Sequence, residues 1–274
     1  MSNRNGPAMA TALFVPGSRP ERFAKALTSG AGRVIVDFED AVEEPLKQQA
    51  RHNLAEFLRG HCQARVMVRI NAPDHAEHHA DIDFCARHPG VIGVILPKTE
   101  SADQVEALSV CAKPVWPLIE TATGLLALEH IAGGSGVERL SFGGLDLALD
   151  LGIKGSEGGA TIIDHARYQL VVHSAAAGLA APVDTVFPDI SDLDGLSHAA
   201  RRARGMGFDG LLCIHPAQVA VVQKVFAPVR EELEWARKVL AAAEGKGGAF
   251  RLDGQMIDAP VLQHARQVLA HERS

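Results

Sequence analysis

The sequence predicts an α/β fold: a closed (β/α)8 barrel followed by a C-terminal helical extension. About eight short apolar runs recur along the 274 residues, separated by Ala/Leu-rich segments with helical periodicity. The runs are rich in β-branched residues and do not alternate strictly, as strands buried on both faces require. Most of them close on Pro, Gly, Asn or a charged residue, which is how the active rim of a closed parallel barrel reads in sequence. An open doubly wound sheet is the alternative, and the unbroken strand–helix alternation favours closure.

Taken in order, the strands fall at 11–15 (TALFV), 33–38 (RVIVDF), 65–70 (RVMVRI), 91–96 (VIGVIL), 115–119 (VWPLI), 139–143 (RLSFG), 181–187 (APVDTVF) and 210–214 (GLLCI). Between them, 20–28, 101–112 and 161–178 carry helical periodicity. Pro20 suits a first helical turn, and Ser101 suits an N-cap. The barrel is assigned to residues 1–228 and the extension, a lid, to 229–274. In the extension, 229–242 (VREELEWARKVLAA) reads as a charged amphipathic helix. Gly245, Gly247 and Gly248 form a joint, 249–252 (AFRL) follows, and a second helix begins near 259.

Composition narrows the function. Apolar residues make up 47% and aromatic residues 5%, a mix that fills a sizeable core with Val, Ile, Leu and Ala. A net charge of −6 argues against nucleic-acid binding, whose footprint is basic. No apolar stretch is long enough to span a membrane. The opening MSNRNGPAMATALF lacks the sustained apolar segment of a signal peptide. Cys62, Cys85, Cys111 and Cys213 show neither metal spacing nor a disulfide framework, so they read as small core residues in a reducing cytoplasm.

The strand ends supply the chemistry. Glu120 and Asp146 each follow a short apolar run, and a closed barrel would bring them to one rim. Two carboxylates suit a hard divalent cation, Mg2+ or Mn2+, which keeps water and substrate among its ligands. Glu39 and Asp40 are placed to accept hydrogen bonds from metal-bound water, without a way to separate their roles. Arg69, closing VMVRI, can hold a carboxylate or a developing oxyanion, and at that depth it needs either a structural acid or a substrate. Gly143 and Gly144 would let backbone amides approach a substrate carboxylate. Arg19, Arg22 and Lys25 near a helix start could anchor a phosphorylated ligand or simply form a solvated basic face. His75, His78 and His79 read as a wet helix face and His215 as a packed strand-end histidine.

The strings LFVPGSRPERFAKA, VDFEDAV, VMVRIN, ILPKTES, IETATGLL, FGGLDLALDLG, DTVFPDI, GFDGLLCIHPAQV and LDGQMIDAP, in this order, resemble the citrate lyase β-subunit-like family. That family includes malyl-CoA, citramalyl-CoA and β-methylmalyl-CoA lyases, and the resemblance runs from about residue 11 to residue 270. It implies a TIM barrel, usually a homo-oligomer (trimer or hexamer), binding Mg2+ at the C-terminal rim. It implies Glu120 and Asp146 as metal ligands, Arg69 as the substrate-orienting arginine, and Glu39 and Asp40 around the metal waters. It also implies that Asp258, in Met256-Ile257-Asp258-Ala259-Pro260, is delivered by a neighbouring subunit for proton transfer; an N-cap role before Pro260 is compatible with this. Leu145 departs from the pattern, standing where many members carry a second acid.

The implied activity is Mg2+-dependent, reversible cleavage of a 3-hydroxyacyl-CoA thioester to acetyl-CoA and a 2-oxo acid. The substrate is a malyl, citramalyl, β-methylmalyl or citryl thioester. Two alternatives stay open: a class II pyruvate-dependent aldolase that does not use CoA, and a non-catalytic barrel subunit of a lyase complex.

Overall fold

The computed structural model describes residues 9–245 and 247–272. Eight parallel strands close in sequence order: β1 Ala10–Pro16, β2 Arg33–Asp37, β3 Val66–Arg69, β4 Val91–Leu96, β5 Val115–Ile119, β6 Ser141–Phe142, β7 Val183–Asp184 and β8 Gly210–Cys213. β8 pairs back onto β1, so the predicted barrel is the observed one.

Alternation along each strand sorts the side chains into two cores. Ala12, Ile35, Met67, Ile95, Trp116, Leu118 and Leu212 form an inner cluster. Their chain neighbours Leu13, Val34, Val36, Val66, Val68, Val94 and Val115 pack outward against the helices. The inner cluster fills the barrel axis, making it a core and not a pore. Carried one step further, the same alternation (35 to 37, 67 to 69, 118 to 120) sets Asp37, Arg69 and Glu120 on the inner side at the C-terminal rim.

The sixth and seventh strands are shorter than the runs 139–143 and 181–187. Past Asp184 the chain leaves the ladder, because the Thr185 amide donates to the Asp184 Oδ1 at 2.8 Å. The segment 20–28 divides into a 3-10 turn, Pro20–Arg22, and a short helix, Phe23–Leu27, with Pro20 at the first position. The segment 101–112 becomes helix Ala102–Glu106 and 3-10 turn Ala107–Cys111, opened by a capping box between Ser101 and Gln104. The segment 161–178 begins earlier, as helix Glu157–Ala176 capped by Ser156.

The extension comprises helix Arg230–Ala243, strands β9 Phe250–Leu252 and β10 Gln255–Ile257, and helix Ala259–Glu272. The hairpin adds two paired strands to an extension expected to be helical. Asp253 (φ +49°) and Gly254 (φ +84°) supply the two left-handed residues of a tight hairpin turn. Ala236, Val239, Ile257 and Ala265 give the extension a small core of its own. It is anchored on the N-terminal face of the barrel, where Arg204 pairs with Glu232 at 2.6 Å. There Met9, Phe208 and Asp209 share the lining of a cavity of about 460 Å³ with Glu232, His264 and Val268.

Residues 1–8, part of the opening read as free of a signal peptide, lie outside the described residues. So do Lys246, within the glycine joint, and residues 273–274 of the extension. Among the described residues no helix is long and apolar enough to cross a membrane.

Candidate active site

Asp37 and Arg69 are register partners across β2 and β3. Arg69 Nε donates to Asp37 Oδ1 at 2.7 Å and its Nη2 donates to Oδ2 at 2.5 Å, a bidentate pair. Its Nη1 lies 2.8 Å from Glu39 Oε2 and 3.2 Å from Asp40 Oδ2. The Phe14 ring stacks 4.9 Å from the guanidinium carbon. Burial alone would weaken the hold of Arg69 on its proton, but Asp37 outweighs it and the guanidinium stays charged. Of the two partners the sequence allows for Arg69, the structural acid is present, and it is Asp37, a residue outside the candidate set.

Asp37 also builds the loop beyond it. Its Oδ1 accepts the amide of Glu39 at 3.0 Å and its Oδ2 that of Ala41 at 3.1 Å. Glu39 and Asp40 are thereby fixed beside Arg69, and their carboxyls shift in opposite directions. Burial raises the Glu39 carboxyl above its ordinary range, against the pull of Arg69. Burial would also raise Asp40, but Arg69 and its contact with Glu39 hold it below its ordinary range.

Lys98 links this pair to Glu120. It follows β4 in a left-handed conformation, φ +46°, uncommon for a residue with a Cβ. That turn aims its backbone amide at Glu120 Oε1, 2.7 Å away, while its Nζ donates to Glu39 Oε1 at 2.9 Å. Glu120 is 2% exposed, and burial pushes its carboxyl up to about 8. The Lys98 amide and Arg69 oppose that rise, and the charges of Glu39 and Asp146 add to it.

Asp146 sits in the first turn of helix Gly144–Asp150, with its side chain exposed. Gly143 makes the approach of this turn to Glu120 possible. A Cβ at 143 would overlap Glu120 Oε2 and stand 2.5 Å from Glu120 Cβ. The amides of Gly143 and Gly144 are engaged within the chain, by Ile119 O at 2.9 Å and Thr185 Oγ1 at 3.0 Å. These glycines therefore provide room at the rim, and neither amide stands open toward a substrate.

The donors fit a hard cation. A carboxyl this buried, with two further acids adding to its field, favours its charged form only when a positive group is added. Among the described residues no group of three or more His, Cys, Asp or Glu side chains is arranged to hold a metal. Glu120 with Asp146 is a two-carboxylate set, sufficient for Mg2+ and poorly suited to zinc.

The remaining candidates stand outside this hydrogen-bond network. Arg19 is exposed and caps the Pro20–Arg22 turn without a side-chain hydrogen bond. Asp258 accepts the Val261 amide at 3.4 Å, an N-cap for the last helix. Its extension is anchored on the face opposite the rim, so the chain's own Asp258 is not brought to Glu120. Three other expectations are corrected. His78 is buried, because its Nδ1 meets Asn71 O at 2.8 Å. His215 is an exposed cap, its Nδ1 accepting the Ala217 amide at 3.2 Å. Cys62 is exposed, while Cys85, Cys111 and Cys213 are buried.

Residues 10–216 match the family model described as HpcH/HpaI aldolase/citrate lyase. A citrate lyase subunit beta-like protein from Mycobacterium tuberculosis is 41% identical over 261 residues, 94% of this chain and 93% of its own length. The mitochondrial citramalyl-CoA lyase of Rattus norvegicus is 31% identical, over 98% of this chain and 87% of its own length. The crystal structure of CitE from Mycobacterium tuberculosis, in complex with magnesium, acetoacetate and coenzyme A, superposes with a TM-score of 0.84. It is 39% identical and covers 99% of this chain and 100% of its own.

Proposed function

The chain belongs to the HpcH/HpaI aldolase/citrate lyase family, and from that premise we propose that it reversibly cleaves a 3-hydroxyacyl-CoA thioester into acetyl-CoA and a 2-oxo acid, with Mg2+ as cofactor. What supports this most is the Glu120 carboxyl, buried, raised to about 8 and flanked by Glu39 and Asp146, a constellation that calls for a cation. The magnesium, acetoacetate and coenzyme A bound by the CitE neighbour supply matching ligand classes.

Glu120 and Asp146 would hold Mg2+, or Mn2+, which takes the same oxygen donors. The bound cation supplies Lewis-acid polarisation of the substrate's oxygens. Arg69, spent on Asp37 through its Nε and Nη2, contributes a fixed positive charge at the mouth and not an open fork. The substrate hydroxyl loses its proton to the Glu39–Asp40 pair. The carbon–carbon bond breaks, the hydroxyl carbon becomes the keto carbon of the oxo acid, and the electron pair passes to the thioester enolate. Asp258 then delivers a proton to the enolate carbon. Since the extension is anchored on the N-terminal face, that aspartate comes from a second copy of the chain.

The test is acetyl-CoA release from malyl-, citramalyl-, β-methylmalyl- and citryl-CoA, with Mg2+ and with EDTA. Metal-dependent cleavage of one thioester is the expected result. No cleavage of any by folded protein would move the reading to a CoA-independent pyruvate aldolase or a binding subunit.

A further inference from the structure

Asp146 is the exposed half of the acid pair and makes no side-chain hydrogen bond among the described residues, so its position depends on the turn beneath it. That turn has an unusual start. Gly143 is the N-cap of helix Gly144–Asp150 and brings no side chain to accept the first amides. The missing acceptor comes from the neighbouring strand: Thr185 Oγ1, just past β7, takes the Gly144 amide at 3.0 Å.

Thr185 is itself held. Its amide donates to Asp184 Oδ1 at 2.8 Å. Asp184 is 3% exposed and receives Arg167 Nε on both oxygens at 3.0 Å. The Arg167 guanidinium also pairs with Asp164 at 3.0 Å and lies 5.6 Å from the centre of the Phe142 ring, directly before Gly143. The β6 turn is thus gripped from two sides, by Thr185 at the first helical amide and by Arg167 over the last strand residue.

We propose that Thr185, oriented by the buried Asp184–Arg167 pair, is a positioning residue that caps the Asp146 helix and holds that carboxylate in register with Glu120 for a divalent cation. This rests on the reading of Glu120 and Asp146 as the metal ligands. It adds a support from a different strand, and its effect is on cation affinity before any substrate enters.

The experiment is Mn2+ titration of the substrate-free protein, followed by electron paramagnetic resonance, with the melting temperature recorded in parallel. Thr185→Val removes the acceptor oxygen at nearly constant volume, and should weaken Mn2+ binding by about tenfold or more, the usual effect of losing a group that orients a ligand. Thr185→Ser keeps the oxygen and should restore the affinity, which a merely space-filling role would not produce. If Val is not accommodated, Thr185→Ala removes the same oxygen without added bulk. Unchanged Mn2+ affinity in folded Thr185→Val, with binding still abolished by Glu120→Gln, would overturn the positioning role alone. Mn2+ binding that survives both Glu120→Gln and Asp146→Asn would overturn the ligand assignment, and the positioning role with it.

Discussion

The backbone amide of Lys98 donates to Glu120 Oε1 at 2.7 Å, across the C-terminal ends of β4 and β5. The contact exists only because Lys98 is left-handed, and its side chain then reaches back to Glu39. One residue thereby orients two acids, one through its main chain and one through its ammonium group.

The two contributions can be separated. Lys98→Gly adopts the same backbone without strain and keeps the amide contact, losing only a half-exposed ion pair. Its stability should change by about 1 kcal/mol or less, and Mn2+ binding should persist. Lys98→Pro removes the donor and excludes positive φ, and should weaken Mn2+ binding by about tenfold or more. Equal affinities for the two variants would show that the amide does not orient Glu120.

Asp37 carries the stability of the rim. Asp37→Ala leaves the Arg69 guanidinium buried without its bidentate partner, and leaves two loop amides without acceptors. A loss of about 3–5 kcal/mol in denaturant unfolding is expected, as for other buried pairs broken on one side. A loss within about 1 kcal/mol would mean that Glu39 and Asp40 alone satisfy Arg69.

Gly143→Ala tests the closeness of the metal turn to Glu120. The added methyl meets the Glu120 side chain and must displace it. The expected product is a barrel that still folds, destabilised by about 1–3 kcal/mol through overpacking against the buried Glu120, with no Mn2+ binding. Native affinity in this variant would place the cation away from Glu120.

The metal-free protein should lose stability as pH rises. Glu120 keeps its proton up to about 8 when folded but releases it near 4.5 when unfolded. The folded state therefore binds more protons in that window, and its contribution, complete below 4.5, fades toward pH 8. Chemical unfolding at pH 5, 6.5 and 8 should show this decline. Glu120→Gln should flatten it, as should saturating Mg2+. An equally steep decline in Glu120→Gln would assign it to another group.

Delivery of Asp258 by a second copy predicts complementation. Glu120→Gln and Asp258→Asn should each be inactive alone and regain turnover when co-expressed, because mixed assemblies contain one intact pairing. No recovery from a demonstrated hetero-oligomer would place Asp258 outside the proton transfer.

Much of the barrel is legible in sequence because parallel strands buried on both faces are short, β-branched and regularly spaced, and their polar ends mark one rim. Glu120 stands out on the same basis, two steps beyond Trp116 and Leu118 on the inner side. The partner of Arg69 does not stand out. Asp37 becomes its counter-ion only through the β2–β3 register, and spacing along the chain does not encode register. Lys98 is hidden for a related reason, since its contact with Glu120 is made by the main chain and leaves no mark in the choice of side chain at that position. Thr185 reads as an ordinary strand residue until the sixth and seventh strands are laid side by side. The β9–β10 hairpin is different, because Asp253–Gly254 between FRL and QMI is a recognised two-residue turn.

The plug of Ile35, Met67, Ile95, Trp116 and Leu212 along the axis denies this molecule a back door. Reactant and products share one doorway, so the fragment seated deepest must depart last. For the cleavage proposed above, that fragment is the oxo acid against Glu120, and the thioester half leaves ahead of it. The oxo acid should then inhibit competitively against the thioester substrate and acetyl-CoA should not, a kinetic asymmetry imposed by a stopper of apolar side chains that never touch the reaction.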